Sequence, residues 1–429
     1  MNKILISSML AATLAFGAGY KIPEQSTDSI GLAASNVAKS FGADAAYFNP
    51  ANMPFLEDRI YLESMVSYFK TSQATFNGDG SSTYRSEPYS TAGGTFHAVS
   101  NDLGGFRLGF SAYVPAGLEM RWNDAPQDIS RHFNLNIIGL NPSIAYAIND
   151  QLSVAFGLNA YYIRGETSGE FYRFSRQGLP VVPSRHMKGH GWAFGYNLAL
   201  AYKPLENLSF GLTYRSRVNF NIKGHAEIKG FPDLSAAGQP NFANLLNYSG
   251  KAKVTGLIVP ASLVVGTAWD VTPDTTLLFA VERTFWSKLK GYDFEFGDAS
   301  ARHNNPAFLN SFDAPTKRSF KDSNVYRVGV HHKFNQKWRG MLGFAYDEGA
   351  AADLETVSFE IPDTKAYVYS VGLAYAPSQN LEFGLGYIYQ DRKSARAKVE
   401  VAGGASTHET GGFKRASIQI MGASVKYKF

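Results

Sequence analysis

Apolar and polar residues alternate through fourteen segments of this chain, and the connections between those segments are alternately short and long. Leu381, Phe383, Leu385, Tyr387 and Tyr389 share one side of their segment, against Glu382, Gly384, Gly386 and Ile388. Leu208, Phe210, Leu212 and Tyr214 stand likewise against Ser209, Gly211, Thr213 and Arg215, and Leu152, Val154, Phe156 and Leu158 against Gln151, Ser153, Ala155 and Gly157. A period of two belongs to strands. Tight junctions recur at Asn149-Asp150, Pro204 to Asn207, Thr272-Pro273-Asp274, Asn335-Gln336 and Pro377 to Asn380, with longer irregular spans between them. Short turns at one end and long loops at the other are the pattern of a bacterial outer-membrane barrel.

The pattern predicts strands over 59–70, 92–100, 105–114, 131–147, 151–165, 188–204, 207–224, 250–270, 274–292, 320–334, 337–348, 366–377, 380–395 and 410–429. The count is even, as a single-chain barrel with both ends in the periplasm requires. The expected fold is therefore all-β, a 14-stranded antiparallel transmembrane barrel. A mean hydropathy of −0.19 does not argue against it, because lipid-facing apolar residues average with polar lumen residues. After the N-terminus no apolar run is long enough for a membrane helix, so a helical bundle is excluded. Cysteine is absent, which rules out disulfides, thiol catalysis and Cys-ligated zinc. The net charge of +5 is scattered, with no basic run suited to nucleic acid.

The first residues read as a targeting segment. Lys3 supplies the positive start, Ile4 to Phe16 the apolar stretch, and Ala15-Phe16-Gly17 the small residues at a cleavage site. We place a signal peptide at 1–17, giving a mature start of Ala18-Gly19-Tyr20. Residues 18–58 do not alternate and contain the turn signal Asn49-Pro50-Ala51. They are too rich in Ala, Phe and Tyr for a solvated tail, so a plug folded into the lumen is expected, with the barrel over 59–429. The last segment keeps Gln419, Met421, Ala423, Val425, Tyr427 and Phe429 on one face. A terminal aromatic on such a strand is what outer-membrane assembly machinery reads, which makes that machinery an expected partner through Phe429. Outer-membrane lipid and lipopolysaccharide are the expected surroundings.

Several segments together resemble the FadL/TodX family of outer-membrane transporters for long-chain fatty acids and other hydrophobic compounds. The mature start is similar to the family's N-terminal peptide, Asn49-Pro50-Ala51 to its plug motif, and Ile361-Pro362-Asp363 to a late extracellular-loop motif. Asn141-Pro142-Ser143-Ile144-Ala145-Tyr146, Leu212-Thr213-Tyr214-Arg215-Ser216 and Phe320-Lys321-Asp322 before Tyr326-Arg327 resemble its strand segments. They occur in order from 18 to 429. The resemblance implies fourteen strands around a small N-terminal hatch, in a cell outer membrane of a Gram-negative bacterium. It implies capture of a hydrophobic ligand between extracellular loops, transfer to an inner pocket touching the N-terminal peptide, and sideways exit where the third strand is kinked.

The residues offer candidates for each step. Pro115 and Gly117, in Val114-Pro115-Ala116-Gly117, end the third predicted strand; Pro removes a ladder donor and Gly weakens a strand, so either a kink or an ordinary strand end fits. Phe231, Leu234, Phe242, Leu245 and Leu246 are apolar in a loop that solvent alone would keep polar, as are Leu179, Val181 and Val182. They form either a capture groove or a small loop core. An anionic head group wants a fixed cation, and Arg can hold a carboxylate bidentately. By the resemblance that cation falls near Arg164, and near Lys317 and Arg318, alongside Ala18, Gly19 and Tyr20 in the inner pocket. Neither set matches the family's positions without an offset, so a neutral hydrocarbon ligand stays open. No catalytic constellation, cofactor motif or metal-ligand spacing is present: His331 and His332 must face opposite sides of one strand, and no Gly-x-Ser-x-Gly elbow occurs. A general diffusion porin and a purely structural barrel remain alternatives, and the placement of 18–58 discriminates among them.

Overall fold

A computed structural model describes residues 19–123, 131–171, 181–297, 312, 316–352, 357–402 and 407–429. Its wall is one antiparallel sheet of fourteen strands among the described residues. They are β1 Tyr61–Thr71, β2 Tyr89–Val99, β3 Phe106–Arg121, β4 His132–Ala147, β5 Leu152–Glu170 and β6 Ser184–Leu205. Three interrupted strands follow. β7 runs Leu208–Arg215, Val218–Asn219 and Ile222–Lys229; β8 runs Tyr248–Thr255, Ile258–Val259 and Ser262–Thr272; β9 runs Thr275–Thr284 and Gly291–Phe296. The circuit ends with β10 Ser323–Lys333, β11 Trp338–Asp347, β12 Ala366–Tyr375, β13 Leu381–Arg392 and β14 Ala416–Lys428. β14 pairs back onto β1 from Tyr61↔Lys428 to Thr71↔Ile418, which closes the circuit of strands.

The alternation in sequence becomes the two faces of this wall. Val66, Leu158, Leu342 and Leu385 are more than half exposed, and similar side chains form a belt around the outside. An apolar surface of that extent is stable only against lipid. Aromatic pairs cap the belt at its short-turn end: Trp338–Tyr375 and Phe106–Tyr146, each with ring centroids 4.6 Å apart, and Tyr427–Phe429 at the same spacing. The short turns close as their residues predict. Asn149 Oδ1 accepts from the Leu152 amide at 2.8 Å, and Asn335 Oδ1 accepts from the Trp338 amide at 3.0 Å.

Residues 19–56 are mostly buried, with none exposed, and meet strands on every side of the barrel. Helix α1, Thr27–Gly31, starts on a reciprocal Ser26–Ser29 capping box, and α2 covers Ala45–Phe48. Strand glycines face this segment because nothing larger fits. A Cβ on Gly372 would stand 2.9 Å from the Gly31 Cα, and one on Gly211 would overlap the Val37 carbonyl. The lumen charges are paired to it as well: Asp28 receives the Lys426 ammonium at 2.6 Å and Arg339 Nη2 at 3.2 Å.

Three expectations are corrected. β3 does not end at residue 114; it continues to Arg121, because its residues turn inward and remain paired to β4. The stretches expected as single strands at 207–224, 250–270 and 274–292 are each interrupted, at 216–221, 256–261 and 285–290, where Gly256 has φ +87° and Pro260 lacks a donor. The loop after β13 carries its own antiparallel ladder, Ala395–Ala402 on Thr407–Phe413, extended by Thr75–Gly78 and Thr83–Arg85.

Candidate ligand pocket and wall window

Inward-facing side chains from β4 to β9 leave a small cavity of about 40 Å³ in the long-loop half. Phe133, Leu135, Met187, Ile222, Leu257 and Phe294 make it apolar. At its edge the Tyr292 hydroxyl donates to Glu360 Oε1 at 2.9 Å, and Arg318 Nη2 donates to Glu360 Oε2 at 3.0 Å. The Arg318 guanidinium also lies 5.6 Å from the Tyr292 ring centroid. The Arg318 cation, already met by a carboxylate, thus stands beside a pocket whose border also includes Glu166, Lys188, His225 and Lys253.

Below this level the breaks in β7, β8 and β9 let residues fold inward as a ledge. Val218–Asn219 pairs with Ile258–Val259 in a ladder of its own. The Tyr20 hydroxyl donates to the Ile258 carbonyl, and the Tyr20 ring meets Trp286 edge-on at 5.0 Å. Trp286 is fully buried, and its indole nitrogen has no hydrogen-bond partner among the described residues. Gly19 has φ +68°, and any Cβ there would strike the Trp286 ring, so both backbone and space demand glycine.

The wall itself is incomplete beside β3. β3 alternates normally from Phe106 to Tyr113, then every residue from Val114 to Met120 is buried. The change happens at a bulge: Tyr113 opposes Gly139 and Ala116 opposes Ile137, three steps against two, with Pro115 inside it. β2 and β3 are laddered only from Phe96↔Ala112 to Val99↔Gly109. Above, the Glu87 amide donates to the Arg121 carbonyl at 2.8 Å and rejoins the two chains. Between those limits β2 and β3 have no ladder among the described residues, a gap in backbone pairing that forms the candidate window and is crossed by the Tyr89 side chain bonded to Glu119.

An edge left unpaired inside a membrane protein must find other partners. Here the N-terminal segment supplies them. The Ile22 amide donates to the Pro115 carbonyl and the Gly117 amide to the Tyr20 carbonyl, both at 2.9 Å, and Lys21 bridges Ala116. Gln25 Nε2 donates to the Val114 carbonyl at 2.8 Å, and the Gln25 carbonyl accepts from Thr95 Oγ1 of β2 at 2.9 Å. The same stretch therefore touches both sides of the window. Its register places the pocket next door, since Leu118 opposes Leu135 and Met120 opposes Phe133.

The charges that hold this segment are strained by burial. Burial lifts the Glu24 carboxyl to about 7, opposed by a backbone hydrogen bond and Arg327, and one of its oxygens is unpartnered. Burial and the neighbouring Asp28 charge lift Asp44 to about 6, although the Ser26 hydroxyl donates to it at 2.7 Å. Asp28 goes the other way. Burial raises it, but Arg339 and Lys426 outweigh that and hold it well below the usual carboxylate range. Asn49 ties the segment to the wall: its Nδ2 donates to Val37 O at 2.8 Å and to Leu200 O of β6 at 3.1 Å, while its Oδ1 accepts from the Ala51 amide at 3.0 Å. Pro50 follows as the first residue of a 3₁₀ turn.

The remaining candidates separate. Phe231 and Leu246 are buried, Phe231 against Phe312 at 6.1 Å, whereas Leu245 and Val182 are exposed and Leu234, Phe242 and Val181 half-exposed. Phe242–Leu246 is helical, as their spacing predicts, capped by the Asn241 side chain on the Asn244 amide at 2.9 Å. Arg164 is not in the pocket. It is exposed on the outer face of β5, because Ile163 and its odd-numbered neighbours take the lumen side. Ala18, Leu179 and the Lys317 side chain lie outside what the structure describes. Sequence reading missed an aromatic cluster under the outer loops, in which Trp122 Nε1 donates to Phe359 O at 2.8 Å and Phe76 and Phe413 stand 5.1 Å apart. It also missed Glu360, Tyr292 and Trp286. The one available signal was apolar residues flanking Ile361-Pro362-Asp363, where Asp363 pairs with Arg392.

Residues 8–429 match the family described as outer membrane protein transport protein (OMPP1/FadL/TodX). The chain belongs to this family. It is therefore an outer-membrane β-barrel of a transport family. A protein named long-chain fatty acid transport protein, from Escherichia coli O6:H1, is 23% identical over 100% of this chain and 98% of its own. Outer membrane protein P1 of Haemophilus influenzae is 25% identical over 100% and 99%. Among solved structures, a Pseudomonas aeruginosa FadL homologue superposes with a TM-score of 0.79 at 19% identity, covering 96% of this chain and 99% of that one. The Pseudomonas putida toluene transporter TodX superposes with 0.70 at 15% identity, covering 95% and 99%. These structural likenesses establish the shared OMPP1/FadL/TodX fold.

Proposed function

We propose that this chain carries long-chain fatty acids passively through the outer membrane and releases them sideways through the window between β2 and β3. Residues 1–17 direct export and 18–58 act as the hatch. The observation that carries the reading is the kinked β3 edge, unpaired by β2 and satisfied instead by Tyr20, Ile22 and Gln25. Such a joint opens when the N-terminal peptide moves, without breaking the barrel's own ladders. The ligand is caught by Val182, Leu245 and their neighbours at the outer loops and then held in the apolar pocket above Tyr20. Lateral release suits the cargo, because water exposure costs about 0.8 kcal/mol per CH₂ and the bilayer avoids it.

A second reading, transport of neutral hydrocarbons, draws on one observation: Glu360 already meets the Arg318 charge beside the pocket. Uptake of labelled oleate and of toluene in a strain lacking its own transporter, with and without this chain, tests both. Restored oleate uptake that falls in Arg318→Gln supports the fatty-acid reading. Restored toluene uptake without oleate selects the second, and leakage of small sugars with neither refutes transport by this route.

A further inference from the structure

The outer face of the barrel carries an arrangement that transport does not use. On β5 the lipid-facing residues climb through Phe156, Leu158 and Tyr162, and on β6 they descend from Trp192 through Phe194 to Tyr202. Tyr162 and Trp192 stand with ring centroids 5.0 Å apart and mark the long-loop edge of the apolar belt. The next outward position on every strand from β5 to β8 is basic or histidine. Arg164 opposes His190, His190 opposes Lys223, and Lys223 opposes Lys253, so one unbroken row crosses four strands. One step further out Lys188 opposes His225, and His225 opposes Lys251.

Like charges placed directly across a ladder repel. Acidic neighbours answer part of this: Glu295 takes Lys253 at 2.6 Å, and Glu166 receives His186 at 2.9 Å. Arg164, Lys188, Lys223 and Lys251 remain exposed in the rows, with Glu166 across the ladder from Lys188, and among the described residues none of the four forms an ion pair with an acid. Two such rows side by side are a surface built for a polyanion. Its height fixes the kind of polyanion, because it begins where the aromatic edge of the lipid belt stops. With the long loops outside the cell, that is the headgroup level of the outer leaflet.

We propose that the outward face of β5–β8 binds a phosphorylated glycolipid of the outer leaflet, its phosphates lying along the Arg164–Lys253 and Lys188–Lys251 rows and its acyl chains on Trp192, Phe194 and Leu198. The rows lie on the outward positions of strands whose inward residues Ile222 and Leu257 line the ligand pocket, and Lys188, His225 and Lys253 also border that pocket. Bound glycolipid neutralises the repulsion across β6, β7 and β8 next to the interruptions at 216–221 and 256–261.

The test uses the full-length protein in zwitterionic detergent, titrated with diphosphorylated lipid A and with the same lipid after dephosphorylation. The wild type is expected to bind the phosphorylated form about tenfold or more tightly, since each surface cation adds a share of the attraction to phosphate. The triple variant Lys223→Gln, Lys251→Gln, Lys253→Gln should lose that preference. In lipid-free detergent it should unfold at the same temperature as the wild type or higher, because repulsion has been removed, whereas the wild type alone gains stability when phosphorylated lipid A is added. Equal binding of the two lipids by the wild type overturns the proposal. So does a preference that survives in the triple variant.

Discussion

Asp28→Asn is the perturbation whose size the structure specifies best. The Asp28 carboxylate is fully buried at the foot of α1, with Lys426 Nζ at 2.6 Å and Arg339 Nη2 at 3.2 Å. Removing one member of a buried ion pair strands its partners, at about 3–5 kcal/mol. The lower end applies here, because Lys426 keeps Glu382 at 3.5 Å and Glu63 at 3.7 Å, and Arg339 keeps Glu382. A loss of about 3 kcal/mol shifts the docking equilibrium of the N-terminal segment by about two powers of ten. The assay is amide exchange over residues 22–37 in the purified barrel, read beside influx of a small sugar in cells. Protection there should fall by that factor and sugar leakage should rise, while the heat-modifiable gel shift of the folded barrel persists. Unchanged protection in a well-folded Asp28→Asn protein would refute the claim that this ion cluster anchors the segment.

Other perturbations should act in stated directions. Glu24 and Asp44 have raised pKa values in the docked state, so their protonated forms favour docking. Their contribution is complete below about pH 4 and is lost as pH rises through about 6 to 7, so intrinsic-rate-corrected exchange protection of residues 22–37 should drop over that window. Glu24→Gln should flatten the upper part of the drop, and an unaltered profile would exclude Glu24 as its source. Gly19→Ala forces a side chain into φ +68° against Trp286, costing about 1–2 kcal/mol from the backbone alone, and should shift the tryptophan emission; identical spectra and protection would contradict the tight contact. Deleting Val114 together with Pro115→Val removes the bulge, lets β3 resume its alternation beside β2, and should abolish oleate uptake with the barrel still folded. Full uptake in that variant would place the exit elsewhere.

Much of this architecture was legible because one face of each strand meets lipid. Leu381 to Tyr389 and Leu208 to Tyr214 announce their strands by parity alone, and the Asn149 and Asn335 turns announce the register. Parity also places Arg164. Counting by twos from Phe156 and Leu158 reaches Arg164, which sets it on the lipid-facing side, outside the pocket. What escaped was the region where parity fails for physical reasons. From Val114 to Met120 every residue of β3 is buried, on both faces, so no period marks the strand. Tyr20, remote in sequence, meets the β8 break at Ile258 and the β9 break at Trp286, and local signals such as Gly256 and Pro260 mark only one of the three breaks. Buried partners such as Asp28, Glu282 and Arg327 read in sequence as ordinary lumen polarity, because pairing across the barrel has no local pattern.

The central claim is that ligand passes only when the N-terminal segment leaves the β3 edge. Lys21 and Ala116 face each other across an antiparallel bridge, which brings their Cα atoms to about 4.5–5.5 Å, within disulfide reach. The chain has no native cysteine, so Lys21→Cys with Ala116→Cys gives a single reversible lock. Oleate uptake by cells carrying this pair should stop under oxidising conditions and return on reduction. Equal uptake by the locked and unlocked forms would contradict the account.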